Sequence, residues 1–168
     1  TGPLESLARF ENDLVVTGHD RSVRFVDCVT LKETRHALCG GDDEVLDAAF
    51  LDDGQRLALA TPSETVRIVD THDWRTSFLG GHADAVLAVA SCDDYVASAS
   101  KDRTAKIWRE SSGRWDLVHT LEGHVDSVGA VALGKRGDDL VCATASKDRT
   151  LKLWQDGQCT ASTIAHDK

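Results

Sequence analysis

A chain of 168 residues with 41% hydrophobic content has enough apolar material for one domain-sized core, and its formal net charge of −9 supplies no overall basic field to attract phosphate backbones. No stretch approaches the ~20 apolar residues of a membrane-spanning helix. Only two prolines interrupt the chain, while Gly and Asp recur at short intervals, a texture of many short elements joined by turns that points to an all-β protein.

In chain order, apolar alternation and turn chemistry predict strands at 6–10, 14–17, 22–26 and 33–38, then at 45–50, 56–60, 65–69 and 74–79, with Asp52-Asp53-Gly54 as a hairpin turn. The next set falls at 85–90, 95–99, 104–108 and 115–121, and the last at 128–133, 139–145, 150–154 and 158–164. Ala99-Ser100-Lys101-Asp102-Arg103-Thr104 recurs letter for letter as Ala145 to Thr150, each copy running on to a tryptophan, Trp108 or Trp154. His82, His124 and His166 are spaced 42 residues apart. Earlier in the chain, Gly40-Gly41-Asp42 takes the Gly-His place, and Val69 and Val26 take the tryptophan place. A period of this length, with four strands to each unit, marks the blades of a β-propeller. The units divide at about 1–40, 41–80, 81–122 and 123–166. Val86, Leu87, Val89, Val128, Ala130, Val131 and Leu133 are expected on innermost strands, and the polar fourth strands, such as Thr160-Ala161-Ser162-Thr163, on the rim.

The Gly-His, Ser-x-Ser-Lys-Asp and Ile-Trp or Leu-Trp elements, in order and at blade spacing, resemble the WD40-repeat family over essentially the whole chain. The resemblance implies a fold of four consecutive four-stranded blades, part of a larger propeller. It also implies a hydrogen-bonded tetrad in each complete blade: His82, Ser98, Asp102 and Trp108 in the third, and His124, Thr144, Asp148 and Trp154 in the fourth. A Ser-His-Asp set also invites a hydrolase reading. Its repetition in register, its terminal tryptophan and the lack of a G-x-S-x-G elbow favour a structural network and no catalytic residue. The first blade keeps Asp20-Arg21-Ser22 with Thr17 as a candidate hydroxyl. The second has Leu59, Ser63 and Val69 in place of Ser, Asp and Trp, with Pro62 in its turn, so both should rest on apolar packing.

No metal or cofactor is expected. Asp42-Asp43-Glu44, Asp52-Asp53, Asp93-Asp94 and Asp138-Asp139 fall on turns, where Asp is favoured, and none pairs with a histidine at ligand spacing. His36, His72 and His119 carry no site signal. Cys28, Cys39, Cys92, Cys142 and Cys159, an odd count without a CxxC pair, read as reduced packing thiols.

The turns between second and third strands and the links between blades share one side of a propeller. They gather Arg21, Lys101, Arg103, Lys147 and Arg149 with the acidic Glu44, Asp84, Asp126 and Asp167 into a mixed-charge face. Such a face selects a protein partner by charge complementarity and offers a local contact to RNA. The lack of basic residues interleaved with exposed aromatics argues against stacking on single-stranded RNA as the main role.

Glu44-Val45-Leu46-Asp47, Val66-Arg67-Ile68-Val69, the run from His82 to Val89 and Ala165-His166-Asp167-Lys168 are similar to the transducin-beta-like family of WD40 subunits of the small-subunit processome. That resemblance implies a non-catalytic scaffold in the nucleus and nucleolus, within a ribonucleoprotein assembly that matures small-subunit ribosomal RNA, with no membrane partner. It places the segment at the start of a second propeller, to be closed by further blades of its own chain or by a second copy. The missing initiator Met and the abrupt end fit an excerpt of a longer protein. A competing reading is the substrate receptor of a ubiquitin ligase. The endings Trp108-Arg109-Glu110 and Trp154-Gln155-Asp156 depart from the W-D-x-R pattern of those receptors.

Overall fold

The computed structural model describes residues 4–38, 41, 43–51 and 54–165. Among these it holds sixteen strands in four antiparallel sheets and no helix. The first sheet comprises β1 (Leu4–Phe10), β2 (Asp13–Gly18), β3 (Ser22–Asp27) and β4 (Glu33–Leu38). The second comprises β5 (Asp47–Leu51), β6 (Arg56–Ala60), β7 (Val66–Asp70) and β8 (Thr76–Leu79). The third comprises β9 (Val86–Cys92), β10 (Tyr95–Ser100), β11 (Ala105–Ser111) and β12 (Arg114–Leu121), and the fourth β13 (Val128–Arg136), β14 (Asp139–Ser146), β15 (Thr150–Gln155) and β16 (Gln158–Ile164). In every sheet the strands lie in chain order, each pairing with the next, as hairpins dictate.

Two expected strands begin late for local reasons. Trp74, expected to open β8, sits at φ +61 and donates its N–H to the Asp70 carbonyl, closing the turn that precedes the strand. Val45, expected to open β5, is wholly buried in the link before it. Strands β9, β11 and β13 run two or three residues further than their alternation suggested.

The core lies between the sheets. Phe25, Val15 and Val23 of the first pack on Leu57, Leu59 and Val69 of the second. Ile68, Val66 and Leu79 meet Val86, Val96 and Trp108 across the next junction, and Ile107 and Leu121 meet Leu140, Cys142 and Trp154 across the last. Leucine and valine therefore stand where blades one and two lack polar networks, and Leu59 and Val69 are fully buried. The inner strand of the fourth sheet is covered on one side only: Val128 is buried, Val131 and Leu133 are half-buried, and Ala130, on the innermost strand as expected, is exposed because no sheet lies against that face among the described residues.

Polar pins add register to this packing. The Asp47 carboxylate on β5 accepts from the Ser6 hydroxyl of β1 and, at 3.0 Å, from the Val89 N–H of β9, so one side chain ties the inner strands of three blades. Arg56 on β6 reaches Glu110 on β11 through two bonds of 2.8 and 2.6 Å, the paired geometry that fixes both planes.

Candidate partner-binding face

The hairpin turns joining second to third strands are built alike in blades one, three and four. Asp102 accepts from the Thr104 N–H at 2.9 Å and the Thr104 hydroxyl at 2.7 Å; Asp148 does the same with Thr150, and Asp20 with Ser22. This wiring forces the intervening residue into the left-handed region, with Arg21, Arg103 and Arg149 at φ +64, +72 and +68. A side chain there is strained by about 1 kcal/mol relative to glycine. In blade two Pro62 and Ser63 replace this pattern, and the Thr61 and Ser63 hydroxyls bond each other at 2.8 Å.

The inter-blade links dock onto these turns. The Lys101 N–H bonds the Ala85 carbonyl and the Lys147 N–H the Ser127 carbonyl, at 3.0 and 2.9 Å, which sets Asp84 beside Lys101 and Asp126 beside Lys147. Lys101, Arg103, Asp84 and their counterparts Lys147, Arg149 and Asp126 are exposed, and the four cations make no side-chain bond or ion pair among the described residues. Arg21 is exposed on the corresponding turn. Asp167, the remaining acid expected here, lies outside the described residues, as do Cys39, Gly40, Asp42, Asp52, Asp53 and His166.

Blade one carries a residue that sequence reasoning missed. His19, at the position of Lys101 and Lys147, lies between Glu5 of β1 and Glu44 of the first link, 2.7 Å from the latter. Glu44 is thereby engaged within the protein. Alignment of Gly18-His19-Asp20-Arg21-Ser22 with Ser100 to Thr104 is the signal that marks it.

Beneath the face lie the four-residue sets. Gly81 and Gly123 stand at φ +133 and +138, a region open only to glycine, and so turn each following histidine inward. His82 Nδ1 donates to Asp102 at 2.7 Å and its Nε2 meets the Ser98 hydroxyl at 2.6 Å; His124 repeats this with Asp148 and Thr144, both at 2.8 Å. In blade four the Trp154 indole N–H completes the chain by donating to Thr144 at 2.8 Å. In blade three Trp108 has no such bond; its ring stands edge-on to His82 at 5.9 Å between centroids. Thr17 does not join a set. It pairs with Val23, the register of Ala99 with Ala105, so Val16 holds the place of Ser98. Its Oγ1 is buried on the opposite face without a partner among the described residues.

Burial pushes the His82 imidazole below its usual range, against the pull of Asp102, and the ring stays neutral. Burial alone would raise Asp102, but bonds from the Thr104 hydroxyl, the Ala83 N–H and His82 hold it down to about 2; Asp148 is lowered in the same way. Both effects have one sign. The unfolded chain takes up a proton at its histidine near pH 6.5 and at its aspartates near pH 4, before the folded groups do, so acid removes stability first below about pH 6.5 and again from about 4 towards 2. His19, raised chiefly by its bond to Glu44, acts oppositely, its contribution present below pH 6.5 and lost as pH rises through its folded value. His82→Gln should therefore flatten the fall in melting temperature between pH 7 and 5; an unchanged slope would disprove the burial effect at His82.

The sheets and their buried histidine sets define the chain as a run of four β-propeller blades. Residues 74–109 and 115–155 match the family described as "WD domain, G-beta repeat". The chain is similar to bovine (Bos taurus) Transducin beta-like protein 3, 41% identical over 134 residues, a match that takes in 77% of this chain and 17% of that protein's length. It is 34% identical over 91 residues to U3 small nucleolar RNA-associated protein 13 of Saccharomyces cerevisiae, covering 46% of this chain and 11% of the relative. The solved structure titled "Structure of U3-55K" shares the fold, with a TM-score of 0.84 at 23% identity over 98% of this chain and 52% of that one.

Proposed function

We propose that the chain is a non-catalytic scaffold whose turn face, centred on Lys101, Arg103, Lys147 and Arg149, holds a protein partner within a nucleolar assembly that matures small-subunit ribosomal RNA. The observation that carries the reading is the doubled layout of unpaired cations on strained turns, each beside an exposed aspartate; strain is retained at a surface where a charged side chain serves. The names of the relatives, one of them a U3 small nucleolar RNA-associated protein, supply the setting. Burial supports the absence of chemistry at the sets: Ser98 is fully buried and Thr144 is 1% exposed, so no substrate carbonyl reaches either hydroxyl despite a triad-like order of atoms. The sets serve as structure.

The test is immunopurification of the tagged full-length protein with quantification of U3 small nucleolar RNA against an unrelated small RNA. Charge reversal of Lys101, Arg103, Lys147 and Arg149 to Glu should lower U3 recovery at least 10-fold while leaving the melting temperature unchanged. Equal recovery from the reversed protein, or ubiquitin-ligase subunits in place of U3, would refute the reading.

A further inference from the structure

Two of the three junctions between blades are filled from the outer strand, and the third is not. In blade one the outer-strand residue paired with Phe25 is Arg35. Its guanidinium lies 3.9 Å over the Phe25 ring and donates to the Thr71 carbonyl in the β7–β8 turn of the next blade, at 3.1 Å. In blade three the equivalent residue, paired with Ile107, is His119. It lies against the turn of blade four so closely that a Cβ on Gly157 would stand 2.5 Å from its Nδ1. In blade two the residue at this place, paired with Ile68, is Ser77. A serine cannot cross the gap.

What remains is a groove between β8 and β12. A cavity of about 320 Å³ is walled by Leu79, Trp108, Trp115 and Leu117, and a second of about 400 Å³ continues it along Ser77 and Trp115 towards Arg75 and Gly113. Arg56 already occupies the polar end, held by Glu110 and 5.9 Å from the Trp115 ring centre, so the unfilled space is the apolar part. Leu117 is 45% exposed there. Strand β8 is outermost in its sheet, and its far edge pairs with no strand among the described residues, leaving peptide groups available along the groove. Beside its start, the Arg75 side chain is 88% exposed, bonded through Nε alone to Asp73.

The geometry points to a second docking site, separate from the turn face: this groove takes an extended peptide of a partner protein as an added strand on the β8 edge. An apolar side chain of the peptide fills the place that Arg35 and His119 fill in the sister junctions, and an acidic residue further along meets Arg75. Main-chain bonds to β8 supply affinity, and the Trp115 and Leu117 pocket supplies the choice of side chain. The apolar walls favour this occupant over RNA, since of the cations that line the groove Arg56 is held by Glu110 and Arg75 is bonded to Asp73.

The probe is a displayed library of random ten-residue peptides selected on the full-length protein. The selected pool should converge on an apolar residue followed by an acid, and the best peptide, measured by fluorescence polarisation, should bind at least 10-fold more weakly to Ser77→Arg, which restores the filling side chain. Leu117→Lys, at an exposed position, should give the same loss and guards against a folding defect in the first variant. Proline at alternate peptide positions should also abolish binding, since it removes the main-chain donors. Glutamate at Lys101, Arg103, Lys147 and Arg149 should leave it intact, which separates this site from the turn face. No enrichment from the library, binding unaffected by both groove variants, or displacement by an RNA oligonucleotide would overturn the assignment.

Discussion

Trp154→Ala should destabilise the protein by about 3–5 kcal/mol, the range for truncating a buried tryptophan. Trp154 is 3% exposed, packs with Ile107, Leu121, Leu140 and Cys142 across the junction of blades three and four, and donates to a buried threonine. Its loss opens a cavity and strands the Thr144 hydroxyl. Phenylalanine separates the two effects. Trp154→Phe keeps most of the apolar volume and removes the N–H, so the loss should fall to about 1–3 kcal/mol. Trp108→Phe should stay below about 1 kcal/mol, because the Trp108 N–H is not bonded to Ser98 and its ring contact with His82 survives in a phenyl. Urea unfolding of the three variants checks the order. Equal losses for the two phenylalanine variants would show that both tryptophans close their sets alike, contrary to the structure.

That asymmetry lies below what the sequence can convey. Blades three and four are identical over Ala99 to Thr104 and Ala145 to Thr150, so the letters announce two equal networks, while only Trp154 makes the last bond and Trp108 meets its histidine ring edge-on. The strands were far more legible. Period-two alternation and the turn residues locate all sixteen, since hairpin-connected strands leave little freedom in order or pairing. Misreadings arose where one residue sets the outcome: a one-position shift moved Thr17 to the other face, and the left-handed turn at Trp74 delayed β8. His19 escaped notice because a histidine outside the Gly-His places has no repeat to mark it until the turns are aligned. The groove at Ser77 is harder still to read, since it is an absence, visible only when the residues opposite Phe25, Ile68 and Ile107 are compared across three junctions in space.

The 168-residue chain alone should associate at tens of micromolar, with little monomer remaining. Each internal junction buries one face of a sheet against the opposite face of the next, and the two outer sheets each present one such face unsatisfied. On blade one Leu4 and Leu7 are 72% and 64% exposed; on blade four an apolar hollow of about 200 Å³, lined by Val131, Ala143, Ala145 and Leu151, lies open beside the exposed Ala130. Apolar surface of this kind seeks cover. The two faces differ, so the contact is heterologous, blade four of one copy against blade one of another, repeating the packing already present at three junctions. If the rotation closes, two copies make a ring of eight blades, within the usual range for propellers of about 4–8; if it does not, longer assemblies grow. Sedimentation velocity over a hundredfold concentration range distinguishes dimer from open series, and Leu151→Lys, which sets a charge in the hollow, should return the chain to monomer. A stable monomer of the unaltered chain throughout that range would mean that neither end face needs a partner, and the packing rule drawn from the three internal junctions would fail at the ends.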